Sequence, residues 1–181
     1  HNQSRRQRQM CIRDRPSFVK RRGRITKRQS KALEQLDNFL VTDVDDISEA
    51  LKNYSSCHLE IGFGNAKHLC KEAKLNKDTL YIGSEVYLSG IGSLLAGIIE
   101  EGIQNIRIYD QDIRLLLDNK PKEVFDKVVI ICPDPWPKEK HHKRRLINDE
   151  FLSIVKRTMK NDSEIYICLL YTSDAADDSG C

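Results

Sequence analysis

The stretch "CHLEIGFGNAKHLCKEAK", Cys57 to Lys74, reads as a strand, a glycine turn and a helix. "CHLEIG" (57–62) is a short apolar-rich run of strand length, and "NAKHLCKEAK" (65–74) carries helical spacing. Gly62 and Gly64 stand between them, where glycine lets the backbone turn tightly and approach a ligand. The same alternation continues downstream. "TLYIGSE" (79–85) is a strand and "LSGIGSLLAGIIEEG" (88–102) a helix, followed by the strand "NIRIYD" (105–110) and a short helix near Ile113 to Leu117. "FDKVVIICPD" (125–134) is the most apolar strand. "NDEFLSIVKRTMK" (148–160) is a helix that Asn148 caps, and "SEIYI" (163–167) is a fifth strand. Five strands separated by helices predict a doubly wound α/β fold with a parallel sheet.

Upstream, Ala32, Leu33, Leu36, Phe39 and Leu40 predict a helix over about 27–40 that docks on this body, and a polar stretch follows from Thr42 to about Ser56. Charge is partitioned. Of 181 residues, the first 31 hold 12 Lys and Arg against one acid, while the remainder has 18 bases against 26 acids. An acidic body with a basic arm and one basic loop points to a polyanion held at defined places.

No apolar stretch approaches the roughly 18 residues of a membrane span, and no apolar run follows the basic N-terminus as a signal peptide requires. The six cysteines form no Cys-x-x-Cys pair and no disulfide-like spacing, which suits reduced thiols in a cytoplasm. His141 and His142 are adjacent, poor geometry for two ligands on one metal, so no metal site is expected.

In open α/β sheets ligands bind outside the carboxyl ends of the strands. The first strand ends in Glu60, Gly62 and Gly64; a dinucleotide fingerprint needs a third glycine where Lys67 stands, which disfavours a nicotinamide oxidoreductase. Glu85 ends the second strand, 23 residues beyond Gly62, and can accept from both hydroxyls of a ribose. Asp112 follows the third strand, within reach of an adenine edge. Acids in place of Lys or Arg favour S-adenosylmethionine, a sulfonium cation without phosphate, over NAD or ATP. The fourth strand empties into "PDPWPKEKHHKRRL" (133–146). Base-modifying methyltransferases often place an acid or amide, a proline and an aromatic here. Asp134 then lies beside the methyl donor, and Trp136 either stacks on a base or packs against the core. Lys138, Lys140, Lys143, Arg144 and Arg145 can neutralise phosphates.

"LEIGFGNAK", "IGSEVYLSGIGSLL" and "PDPWPKEKHHKRRL", in that order, resemble the bacterial tRNA (guanine-N7-)-methyltransferase family, and "SFVKRRGRITKRQ" resembles its N-terminal arm. The resemblance covers about residues 16–167. It implies a Rossmann-like S-adenosylmethionine-dependent methyltransferase fold and methylation of the variable-loop guanine at tRNA position 46. By that resemblance Glu60, Glu85, Asp112 and Asp134 match cofactor-contacting acids beside Gly62 and Gly64. Asp134 also matches the catalytic residue and Lys138 a substrate-binding lysine; Lys140, His141, His142, Lys143, Arg144 and Arg145 match the RNA-contacting loop.

Two departures stand out. Ala66 replaces a glycine usual in the family. The family's substrate-facing Thr-Asp after the fifth strand and Thr-Lys-Phe-Glu near its C-terminus are not restored by Thr172 and Asp174. "MCIRDR" (10–15) and "LLYTSDAADD" (169–178) resemble translated sequencing-adaptor read-through. The expected organisation is therefore a non-native leader (1–15), a basic arm with docking helix (16–56), a methyltransferase domain of about five strands lacking its last ones (57–167), and a non-native tail (168–181). A chain so shortened is expected to be weakly active or inactive. The competing readings are a methyltransferase acting on an exocyclic base nitrogen, and a nucleic-acid-binding module without catalysis.

Overall fold

The computed structural model of the chain describes residue 18, residues 23–118 and residues 122–169. The leader (1–15), most of the tail, and Thr172 and Asp174 lie outside them. Five strands form one parallel sheet in the order β3-β2-β1-β4-β5: β1 Ser56–Ile61, β2 Thr79–Ser84, β3 Ile106–Tyr109, β4 Phe125–Ile131 and β5 Met159–Cys168. The doubly wound reading of the sequence holds, and the order reverses between β1 and β4, the switch point at which such sheets bind ligands.

Among the described residues six helices flank the sheet: α1 Lys27–Leu33, α2 Val44–Leu51, α3 Lys67–Leu75, α4 Leu88–Glu101, α5 Ile113–Asp118 and α6 Asp149–Lys156. Strand alternation sorts the core into two layers. Leu59, Ile61, Leu80, Ile82, Val128 and Ile130 pack with Ile47 of α2, Leu117 of α5 and Phe151 of α6. Tyr81, Ile106 and Ile108 pack on the other face with Leu69 of α3 and Leu94 of α4. Each large aliphatic side chain buried in this way contributes about 1.5–3 kcal/mol.

Three expectations are corrected. The helix expected over 27–40 stops at Leu33 and resumes only as a 3₁₀ turn over Leu36–Asn38. The following residues are needed elsewhere: Ile108 N–H donates to Phe39 O at 2.8 Å and Val41 N–H to Ile108 O at 2.9 Å, which covers the β3 edge. The polar stretch 42–56 contains α2, because Asp43 caps its start through the amides of Asp45 and Asp46 while Val44 and Ile47 are buried. The sixth helix ends at Lys156, and Met159 and Lys160 already belong to β5. Its predicted cap is present, Asn148 Oδ1 accepting from Phe151 N–H at 2.9 Å. Among the described residues β5 is an edge strand, leaving Tyr166 55% exposed.

Candidate active site

Everything chemically informative gathers at the carboxyl ends of β1 to β4. The turn after β1 takes three left-handed residues: Gly62 at φ +74°, Gly64 at +55° and Ala66 at +63°. Glycine reaches that region freely, whereas Ala66 adopts it against its Cβ. That is the physical meaning of the departure at position 66: the site asks for backbone freedom. Gly62 N–H donates to Ser84 O at 2.8 Å, fastening the turn to β2.

Glu85 follows β2 and is 7% exposed. Its carboxylate accepts from three amides: Gly64 at 3.1 Å, Val86 at 2.7 Å and Tyr87 at 3.1 Å. Helix α4 begins just beyond and must pass close to this acid. A Cβ on Gly90 would stand 2.6 Å from Gly64 O and 3.1 Å from Glu85 Cγ, so glycine is required there for packing. Asp112, after β3, is held by Arg114, whose guanidinium donates to both of its oxygens at 2.5–3.2 Å.

These residues line one cavity of about 260 Å³. Ile61, Gly62, Gly64 and Ser84 line it together with Glu85, Asp112, Cys132, Pro133 and Asp134. Asp134 is exposed at this mouth. Cys132 at φ +48° and Trp136 at +41° bracket it, so the chain leaving β4 bends sharply around Asp134. The structure therefore brings Gly62, Gly64, Glu85, Asp112 and Asp134 together.

Glu60 is not among them. On β1 the residues facing the α2 layer are Cys57, Leu59 and Ile61, so alternation turns Glu60 to the opposite face, where it is 4% exposed. There it bonds His68 Nδ1 at 2.7 Å and lines a second hollow with His58, Glu72 and Lys127. Burial pushes its carboxyl up from the ordinary range, and the bond to His68 opposes part of that rise. The structure thus places Glu60, expected among the cofactor-contacting acids, in a hollow apart from the cavity that Glu85, Asp112 and Asp134 line. Gln111, Cys132, Leu146 and Phe18 line the cavity and were not singled out from sequence. Gln111 sits directly before Asp112, the one signal that pointed to it.

The basic segment forms a 3₁₀ turn over Glu139–Arg144. Lys138, Lys140 and Lys143 are exposed, whereas His141, His142, Arg144 and Arg145 are half-buried. Trp136 collects part of this group, with Arg144 Cζ 4.5 Å from its ring centroid and the His141 ring edge-on at 5.5 Å. Arg145 Nε donates to Pro135 O at 3.1 Å. Partial burial, then the charges of Lys140, Arg144, Lys138 and Lys143, push the His141 imidazole down from its ordinary value.

The cavity suits a nucleoside without phosphates. Among the described residues no Lys or Arg lines it, and positions where Gly62 and Gly64 would carry a Cβ have nothing within 4 Å, so bare backbone faces open space. Glu85 and Asp112 are placed to accept hydrogen bonds, and Asp134 to oppose a positive charge. A parallel sheet of this order with a cavity at its switch point also occurs in dinucleotide-binding folds; comparison with known proteins assigns the class, an S-adenosylmethionine-dependent methyltransferase. Residues 54–174 match the family described as "Putative methyltransferase". The tRNA (guanine-N(7)-)-methyltransferase of Hyphomonas neptunium is 38% identical over 149 residues, covering 80% of this chain and 68% of that protein. The protein of the same name from Neorickettsia sennetsu is 38% identical over 152 residues, covering 83% and 67%. The chain spans about two thirds of the length of these curated relatives. A solved antibiotic-related methyltransferase shares the fold at 19% identity and a TM-score of 0.52, over 67% of this chain and 61% of its own. The chain belongs to the tRNA (guanine-N(7)-)-methyltransferase family. No helix among the described residues is long and apolar enough to cross a membrane.

Proposed function

We propose that this chain transfers a methyl group from S-adenosylmethionine to N7 of a guanine in tRNA, at variable-loop position 46, in the cytoplasm. The observation that carries this reading is the exit of β4. Asp134 stands at the mouth of the nucleoside cavity, and Lys138, Lys140 and Lys143 project from the turn that follows within a dozen residues. Acceptor chemistry and polyanion grip are thus adjacent along one segment.

S-adenosylmethionine, when bound, supplies an electrophilic methyl on a cationic sulfur. Glu85 is the acceptor for the ribose hydroxyls, and Asp112 with Gln111 borders the adenine. Guanine N7 presents its lone pair in the ring plane without a proton, so no general base is required. Catalysis rests on alignment and on opposing the positive charge that moves onto the purine. Asp134 serves both ends: its carboxylate accepts from the guanine N1–H or N2–H₂, and its charge opposes the developing cation. The exposed lysines contact phosphates and fix the register of the RNA.

The test is direct. The chain is incubated with a tRNA transcript and methyl-labelled S-adenosylmethionine, and the product is cleaved chemically at N7-methylguanine. A label confined to guanine 46 supports the reading; a label on an exocyclic nitrogen replaces it with the alternative activity. Binding of S-adenosylhomocysteine and tRNA without any transfer leaves a non-catalytic module.

A further inference from the structure

The chain has a single tryptophan, and its surroundings differ from those of an open stacking platform. Trp136 is half-buried and sits two residues beyond Asp134 with a left-handed backbone. A bulky residue adopts that conformation only where its neighbours hold it. The neighbours are on hand: Arg144 lies over the ring at 4.5 Å, His141 meets it edge-on at 5.5 Å, and Arg145 bonds the Pro135 carbonyl at 3.1 Å. Arg144 and Arg145 come from the far end of the basic turn and His141 from its middle. They fold that turn back onto the residues flanking Asp134, while Lys138, Lys140 and Lys143 remain turned to solvent. One face of the ring is already used by a guanidinium of the same loop.

We infer that Trp136 is a positioning residue, clasped by Arg144 and His141, that makes the phosphate-binding turn and the Asp134 rim of the cavity one mechanical unit. The inference rests on the tRNA-methylating function proposed above. Arg144 and His141 thereby act mainly inside the protein, and the exposed lysines carry the contact with the polyanion. Engaging phosphates at the turn then reaches the cavity through the indole, so tRNA and the cofactor bind with mutual reinforcement. Such coupling is reciprocal by thermodynamic necessity.

Two measurements test this without requiring turnover. The first is the emission of the sole tryptophan in the unliganded chain. Because a protonated imidazole against an indole quenches it, emission should titrate below the ordinary imidazole range near pH 6.5. His141→Gln should abolish the titration, and Arg144→Leu should shift emission to the red and speed acrylamide quenching, with far-ultraviolet dichroism unchanged. Emission indifferent to both substitutions would overturn the clasp, whether or not the chain methylates anything. The second is calorimetric affinity for S-adenosylhomocysteine with and without a tRNA transcript. Parent protein should bind about fivefold or more tighter with tRNA, a typical coupling. Trp136→Leu and Arg144→Leu should each abolish that gain while leaving each separate affinity within about threefold, and the double variant should be no worse than either single one. Trp136→Phe should restore part of it. Coupling that survives in Trp136→Leu, or that is absent from the parent, would overturn the inference. Coupling lost only when the target guanine is replaced would show that Trp136 stacks on the base instead. Intact coupling with no methyl transfer under any condition would instead count against the proposed activity.

Discussion

The Gly64 amide donates to the Glu85 carboxylate at 3.1 Å, joining the turn after β1 to the end of β2 beside the cavity. Because Val86 and Tyr87 donate to the same carboxylate, this acid organises three backbone donors before any ligand arrives. A site built in this way is preorganised: ligand hydroxyls meet an acceptor already held in place.

Glu85→Ala leaves those three amides without their acceptor. Orphaned donors cost about 1–3 kcal/mol, and urea unfolding should show a loss in that range. Affinity for S-adenosylhomocysteine should fall by at least about tenfold, equivalent to ~1.4 kcal/mol. Unchanged affinity in a folded variant would remove Glu85 from the cofactor site.

Gly90→Ala places a methyl 2.6 Å from Gly64 O, a backbone atom that moves only with the glycine turn. Cofactor affinity should drop by about tenfold or more. Gly97→Ala on the same helix is the control, since its Cβ meets only the Cys70 sulfur at 3.1 Å. There the gain in helix propensity, up to about 1 kcal/mol, should offset the contact and leave affinity unaltered. Equal effects of the two substitutions would refute a specific role for the packing at Gly90.

Asp134→Ala should separate chemistry from binding. Single-turnover methyl transfer at saturating tRNA should slow by about a hundredfold, in the range of a lost electrostatic contact to the transition state. tRNA affinity should change little, because the phosphate-facing lysines remain. Replacing Lys138, Lys140 and Lys143 together should do the reverse, flattening the salt dependence of binding by ~0.7–0.9 for each phosphate contact removed. A triple variant with the parent's slope would place the RNA elsewhere.

Glu60 supplies a pH test of the fold. Its carboxyl is raised by burial, with the His68 bond opposing. An acid raised in the folded state favours folding fully below its unfolded pKa of about 4.3, and that contribution is lost as pH rises through the folded value. Glu60→Gln should therefore gain stability relative to the parent as pH rises above about 4. His68→Leu, which removes the opposing bond, should steepen the loss. Urea midpoints across this range decide the matter, and parallel curves for parent and Glu60→Gln would show an unperturbed carboxyl.

Much of the fold was legible because strand and helix spacings are local. "CHLEIG", "TLYIGSE" and "FDKVVIICPD" all became adjacent strands, in a parallel sheet as expected. The misreadings share one cause, tertiary need overriding local pattern. The apolar residues at Leu36, Phe39 and Leu40 continue a helical spacing, yet Phe39 leaves the helix so that its carbonyl accepts from Ile108 N–H. The polar sequence around Val44 and Ile47 hid a helix whose buried face needs only a few apolar positions.

At the site, residue types and order singled out Gly62, Gly64, Glu85, Asp112 and Asp134 as candidates, and the fold brings them to one cavity because strand ends converge at a switch point wherever strands alternate with helices. Only the tertiary structure decided on which face each side chain falls. Glu60 and Glu85 look alike in sequence, acids near the ends of consecutive strands. Glu60 still lies within β1, where pleating turns it to the other layer and to His68. Glu85 lies one residue past β2, where the chain has left the pleat and three amides can reach it. The same holds for "PDPWPKEKHHKRRL": the sequence determined that an acid, an indole and a basic turn are neighbours along the chain. The folded chain decided that the indole faces the turn's own arginine, where a left-handed bend at Trp136 turns the segment back on itself.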